Sequence, residues 1–132
     1  MEPLKIIDKG DTGYIEYVPE NWKKVDYVDD HSVFINIGNI EKSDYFRHVY
    51  GMIKFSGEPH RIAGVGTGIS IIISEATMDC KAKLIIPIRD FYLTDEFRII
   101  KFITYQIGKG LVKANEKGTI AESIYQTACD PV

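Results

Sequence analysis

The chain has 132 residues, 45% of them hydrophobic and 27% charged, a composition that excludes a disordered or collagen-like polymer and fits one globular domain. Its formal net charge of −3 excludes a simple basic nucleic-acid binder. No run approaches the roughly 18 apolar residues that a membrane-crossing helix needs, so no membrane is expected.

The charge is unevenly spread. Residues 1–30 hold 4 Lys/Arg and 8 Asp/Glu, residues 31–110 hold 10 and 8, and residues 111–132 hold 2 and 3. Acidic flanks therefore enclose a mildly basic centre, which permits phosphate contacts. The N-terminus has no basic region followed by an apolar stretch, so no secretory signal is expected. Cys80 and Cys129 fall in no metal-binding or redox spacing, and predict two free thiols in a reducing, intracellular compartment.

In chain order, Tyr14-Ile15-Glu16-Tyr17-Val18 alternates like a short strand ended by Pro19, and residues 1–30 are read as an acidic arm or edge strand. Val33, Ile35 and Ile37 share one face of a strand that Gly38-Asn39 closes. Residues 42–55 place Tyr45, Phe46, Val49, Met52 and Ile53 at helical spacing, with Ser43 and Asp44 suited to the helix start. Residues 61–65 form a second short strand, and Gly64-Val65-Gly66-Thr67-Gly68 leads into a second helix from about residue 69 to 81 or 83. Ile69, Ile72, Ile73, Ala76 and Cys80 make its main stripe. Ile71 and Met78 lie on another face, which a partner chain, in preference to the terminal extension, is expected to cover.

Residues 84–93 and 97–107 read as a hairpin about Thr94-Asp95-Glu96, with Pro87 near a strand start or edge and Gly108-Lys109-Gly110 ending it. Thr119-Ile120-Ala121-Glu122 matches a capping box and opens a short helix towards Ala128. The predicted class is α/β, an α+β two-layer sandwich ordered βαβαββ over residues 31–110, with extensions at 1–30 and 111–132.

Two segments carry a family likeness. Val33-Phe34-Ile35-Asn36-Ile37-Gly38, followed by Tyr45, and Ile62-Ala63-Gly64-Val65-Gly66-Thr67-Gly68-Ile69-Ser70 resemble the first and second strand-to-helix passages of the Alba family. The resemblance spans residues 31–109 and implies a four-stranded mixed sheet with two helices on one face. It also implies a homo- or heterodimer with an Alba-fold chain that binds RNA or DNA without a cofactor. Asn39 and Ile40 stand where archaeal members place lysines, and Val65 and Thr67 where they place arginines. Those departures point to the eukaryotic RNA-binding branch.

Nucleic acid is then expected at Lys42 by the first turn, and at Gly66, Thr67 and Ser70, where a glycine run offers backbone amides and hydroxyls. Arg89, Arg98 and Lys101 flank the hairpin as a backbone track, and Tyr92 and Phe97 near its tip would stack on an unpaired base. The same glycine run also reads as a tight turn in which small residues permit close packing, or as a mononucleotide site. Asp44 and His48 are spaced to pair on the first helix, and Glu75 and Asp79 share a face of the second, where they would repel phosphate. His31, His48 and His60 lack metal-ligand spacing and no Ser or Cys sits in a nucleophile motif, so neither a metal nor an enzyme is expected. The rival is an assembly subunit that dimerises through the second helix and binds nucleic acid only within a ribonucleoprotein.

Overall fold

The computed structural model describes residues 5–9, 12–28, 30–106, 111–113 and 120–129. A hairpin of β1 (Ile6–Lys9) and β2 (Thr12–Ile15) comes first, and a 3-10 turn at Pro19–Asn21 leads into β3 (Trp22–Val28). Then follow β4 (His31–Asn36), β5 (Glu41–Ser43), β6 (Phe46–Phe55), β7 (His60–Ile62), β8 (Gly66–Ile69) and β9 (Ile71–Asp79). The chain continues through β10 (Leu84–Leu93), β11 (Ile99–Thr104), β12 (Val112–Lys113) and α1 (Ile120–Cys129). The main sheet has eight strands in the order β11-β10-β9-β6-β4-β3, with β5 added to β6 and β12 to β10. Each pairing along that order is antiparallel, so the sheet is a meander from which the β7–β8 hairpin projects.

This replaces the expected βαβαββ sandwich and the Alba-like sheet with two helices on one face. Residues 42–55 and 69–83 are built around strands β6 and β9, and the one helix among the described residues is C-terminal. The reason is burial on both sides. β6 and β9 are central strands, and a strand covered on both faces is apolar at successive positions, so a helical stripe can be drawn through it as easily as an alternation. Ile71 and Met78 show this. Seven residues apart in a strand, they point to opposite faces. Ile71 is 0% and Met78 1% exposed inside the chain's own core, so neither is available to a partner.

One face of the sheet, the helix face, carries Ile35, Val49, Ala76 and Met78 and packs against Ala128 and Cys129 of α1. Ile124 of the helix seats over Gly51, where a Cβ would make an ordinary contact at 3.4 Å from Ile124 Cδ1. The Tyr125 hydroxyl donates to the Cys80 carbonyl at 2.8 Å, and a Cys80–Cys129 disulfide ties the end of α1 to the end of β9. The expectation of two free thiols is therefore overturned. Spacing along the chain carries no information about a contact made by two elements 49 residues apart.

The opposite face holds Tyr50, Met52, Ile71, Ile73, Phe91 and Leu93, closed at one end by Ile15, Trp22 and Phe97. Phe97 stacks on Tyr17 with ring centroids 4.3 Å apart. The first thirty residues thus supply an edge strand and part of the core. The hairpin at 84–104 and the C-terminal helix form where the sequence places them; Thr119, Ile107 and Gly108–Gly110 lie outside the described residues. Pro87 sits at a register shift between β10 and β9. Among the described residues, no helix is long and apolar enough to cross a membrane.

Just after β11, the Tyr105 hydroxyl donates to Asp90 Oδ2 at 2.5 Å. That bond, then burial, then the Asp90 charge hold the phenol well above its ordinary value of 10.0. Burial first, and then Asp90, raise Tyr92 as well. With the folded value of Tyr105 above the unfolded one, its contribution is whole below the unfolded pKa and is lost as pH rises towards the folded value. The melting temperature is expected to fall between about pH 10 and 12, and to fall less steeply in Tyr105→Phe. Equal slopes in melts across that range would remove Tyr105 as the cause.

Candidate ligand-binding face

On the face opposite α1, cross-strand register sets Glu75 of β9 between Tyr50 of β6 and Arg89 of β10. Residue-wide exposure of Glu75 is only 8%. A carboxylate this buried needs partners, and it has two. His48 Nε2 lies 2.8 Å from Oε2, and Arg89 donates from Nε and Nη2 to Oε1 at 3.1 and 2.9 Å. The Arg89 guanidinium also lies 5.0 Å from the Phe91 ring centroid, and the His48 ring meets Tyr50 edge-on at 5.1 Å.

Two hollows flank this triad. The larger, about 480 Å³, has apolar walls of Ile6, Phe91, Ile99, Ile100 and Phe102, with Gly13, Arg89 and Lys101 completing them. Phe102 is 55% exposed and Ile6 42%, large apolar side chains left in water at one place. Lys101 Nζ donates to the Gly64 carbonyl at 2.8 Å, and because Lys101 pairs with Tyr92 while Phe102 pairs with Phe91, its side chain points to the other face of the sheet from Arg89. The smaller hollow, about 220 Å³, is lined by Lys42, Ser43, Phe46, His48 and Thr77 together with Glu41. Arg89 belongs to one hollow and His48 to the other, so a single buried carboxylate fixes a wall residue of each.

The sequence-predicted residues scatter around this arrangement. Arg89 and Lys101 both border the larger hollow, with side chains on opposite faces of the sheet, and Lys42 borders the smaller. Arg98 sits at the hairpin turn, in an isolated bridge to Tyr14. Tyr92 and Phe97 are 9% and 8% exposed, so neither ring is placed to stack on a base. Gly66 and Thr67 belong to β8, and Ser70 follows it with its amide on the Leu93 carbonyl. Gly64, Gly66 and Gly68 take φ of 80°, 147° and 75°, backbone that glycine adopts without strain, but they shape a hairpin. No helix follows, so the run is neither a phosphate cradle on a helix N-terminus nor a strand-to-helix turn.

His48 pairs with Glu75 rather than with Asp44, which lies in the turn before β6 at φ 53°. Asp79 accepts from the amides of Lys81 and Ala82, capping the β9–β10 turn. Glu75, Phe91 and Phe102 are the site residues that sequence reasoning missed. The available signal was Glu75 itself, a lone charge inside the apolar stretch 71–78. Among the described residues, no group of three or more His, Cys, Asp or Glu is placed to hold a metal ion. Set against known proteins, the chain gives no significant match to any family model, curated sequence or solved structure.

Proposed function

We propose that the chain is a binding module without catalytic activity, and that the hollow on its open sheet face takes a small amphipathic ligand. One observation carries this reading: Arg89 stands on a hollow walled mainly by the apolar side chains Ile6, Phe91, Ile99, Ile100 and Phe102. Concave apolar sites with a few placed polar groups are the usual form of small-ligand pockets, and about 480 Å³ is within their range. Nucleic acid is the weaker reading of the same cation, because Arg89 already faces Glu75 and the aromatic rings expected to stack are buried. The buried disulfide favours an oxidising compartment over the reducing one expected from cysteine spacing.

The test uses 8-anilinonaphthalene-1-sulfonate, an apolar anion whose emission rises in a dry site. It is expected to bind the full chain, and Phe102→Ala to weaken it about tenfold, on the order of 1.4 kcal/mol of lost apolar contact. Because Phe102 is more than half exposed, the melting temperature should stay near that of the parent. Equal affinity in the two proteins would exclude the hollow.

A further inference from the structure

We propose that β11 is a dimerisation edge, to which the β11 of a second copy of this chain adds antiparallel. This goes beyond the hollow and does not rest on its ligand. The first argument is the state of the backbone. The Tyr105 amide donates to the Ile88 carbonyl at 2.9 Å, next to the Thr104–Arg89 pair. Bonding alternates along an antiparallel ladder, so Lys101, Ile103 and Tyr105 turn their amides and carbonyls to β10. Phe102 and Thr104 turn theirs outward. Among the described residues, no strand pairs with β11 on that side beyond the Tyr14–Arg98 bridge.

The second argument is that this edge lacks the usual protection. Edge strands are ordinarily blunted by charges, bulges or a covering element, because unpaired backbone invites another strand. The opposite edge follows that rule: β3 carries Lys23 and Lys24 in succession and a register shift between Lys24 and Asp26. β11 reads Ile-Ile-Lys-Phe-Ile-Thr, almost wholly β-branched or aromatic, with Ile100 36% and Phe102 55% exposed. Its one charge, Lys101, is turned onto the Gly64 carbonyl. Its own register shift lies before Lys101, clear of the outward-facing residues.

The third argument is that the edge complements itself. Two identical strands add antiparallel about a two-fold axis, so each contact occurs twice. An axis at Lys101 would set two ammonium groups against each other. An axis at Ile103 instead sets Phe102 opposite the partner's Thr104, with their outward amides and carbonyls in register. The two Ile103 side chains meet on the axis, and the two Phe102 rings become diagonal neighbours within reach of each other. On the other face, Lys101 lies opposite the partner's Tyr105. That hydroxyl holds the Asp90 carboxylate. Lys101 keeps ammonium protons beyond the one it gives Gly64, so a cation approaches an anion at both ends of the seam.

Sedimentation equilibrium of the full chain over a range of concentrations tests the proposal. A seam this short falls below the roughly 1,200 Å² that lasting complexes bury, so a weak dimer is expected, forming in the micromolar range or above. Thr104→Pro removes one outward amide from each copy and leaves the bonds of Ile103 and Tyr105 to β10 in place. It should weaken the dimer about tenfold or more. Amide exchange of the parent chain, followed by NMR at low and high concentration, reads the seam directly: Phe102 and Thr104 should slow the most as the dimer forms. A chain that stays monomeric up to about 1 mM overturns the proposal. So does a dimer that Thr104→Pro leaves intact, or one whose added protection falls elsewhere than Phe102 and Thr104. Thr104 is not a wall residue of the hollow, so dye binding there is read separately.

Discussion

Replacing Cys80 and Cys129 together by alanine is expected to lower the unfolding free energy by about 4 kcal/mol, the chain-entropy cost of releasing a loop of this length. The two residues are 49 apart in sequence, so the bond removes much freedom from the unfolded chain. The native side adds to the effect. α1 has 10 residues, shorter than the roughly 12–15 that an isolated helix needs in water, so it persists only while docked. Its docking rests on Ile124 over Gly51, Tyr125 on the Cys80 carbonyl, and the buried Ala128 and Cys129. With a typical domain holding about 5–15 kcal/mol in total, such a loss should be plain in a urea titration of the double variant. Hydrogen exchange should then quicken in residues 120–129 before it does in β6 and β9. A loss under about 1 kcal/mol would mean that packing alone holds the helix.

The same tie illustrates what the sequence concealed. The β10–β11 hairpin was legible because Thr94-Asp95-Glu96 interrupts two apolar runs of strand length, and Thr94 Oγ1 indeed accepts from the amides of Glu96 and Arg98. β4 was legible from Val33 and Ile35 sharing one face ahead of the Gly38-Asn39 break. α1 was legible from its cap pattern. β6 and β9 were not, since central strands buried on both faces lose their two-residue period. The weight of Ile69, Ile71, Ile72, Ile73 and Thr77, all β-branched, was the better signal there. Mistaking β9 for a helix then hid the site. On a helix surface Glu75 reads as solvated, whereas in a central strand it is a buried charge in search of Arg89. Phe97 was misplaced for a local reason: it takes φ 63° and is buried against Tyr17. Arg89 and Lys101 stay near the surface, because long cations beside a hairpin reach solvent in either fold, and Arg89 shares a face with Phe91 and Phe102.

Glu75→Ala is expected to cost about 2 kcal/mol, less than the roughly 3–5 kcal/mol for breaking a fully buried ion pair. The discount follows from the partners. The side chains of Arg89 and His48 are 35% and 27% exposed, so both recover part of their hydration once the carboxylate is gone. Glu75→Gln, which keeps an oxygen for the guanidinium, should cost less than the alanine change. A double-mutant cycle with Arg89→Leu should show coupling, since the second substitution removes the charge that the first leaves unpaired. Denaturant titrations of the single and double variants measure this, and strict additivity would mean that Glu75 and Arg89 do not depend on one another.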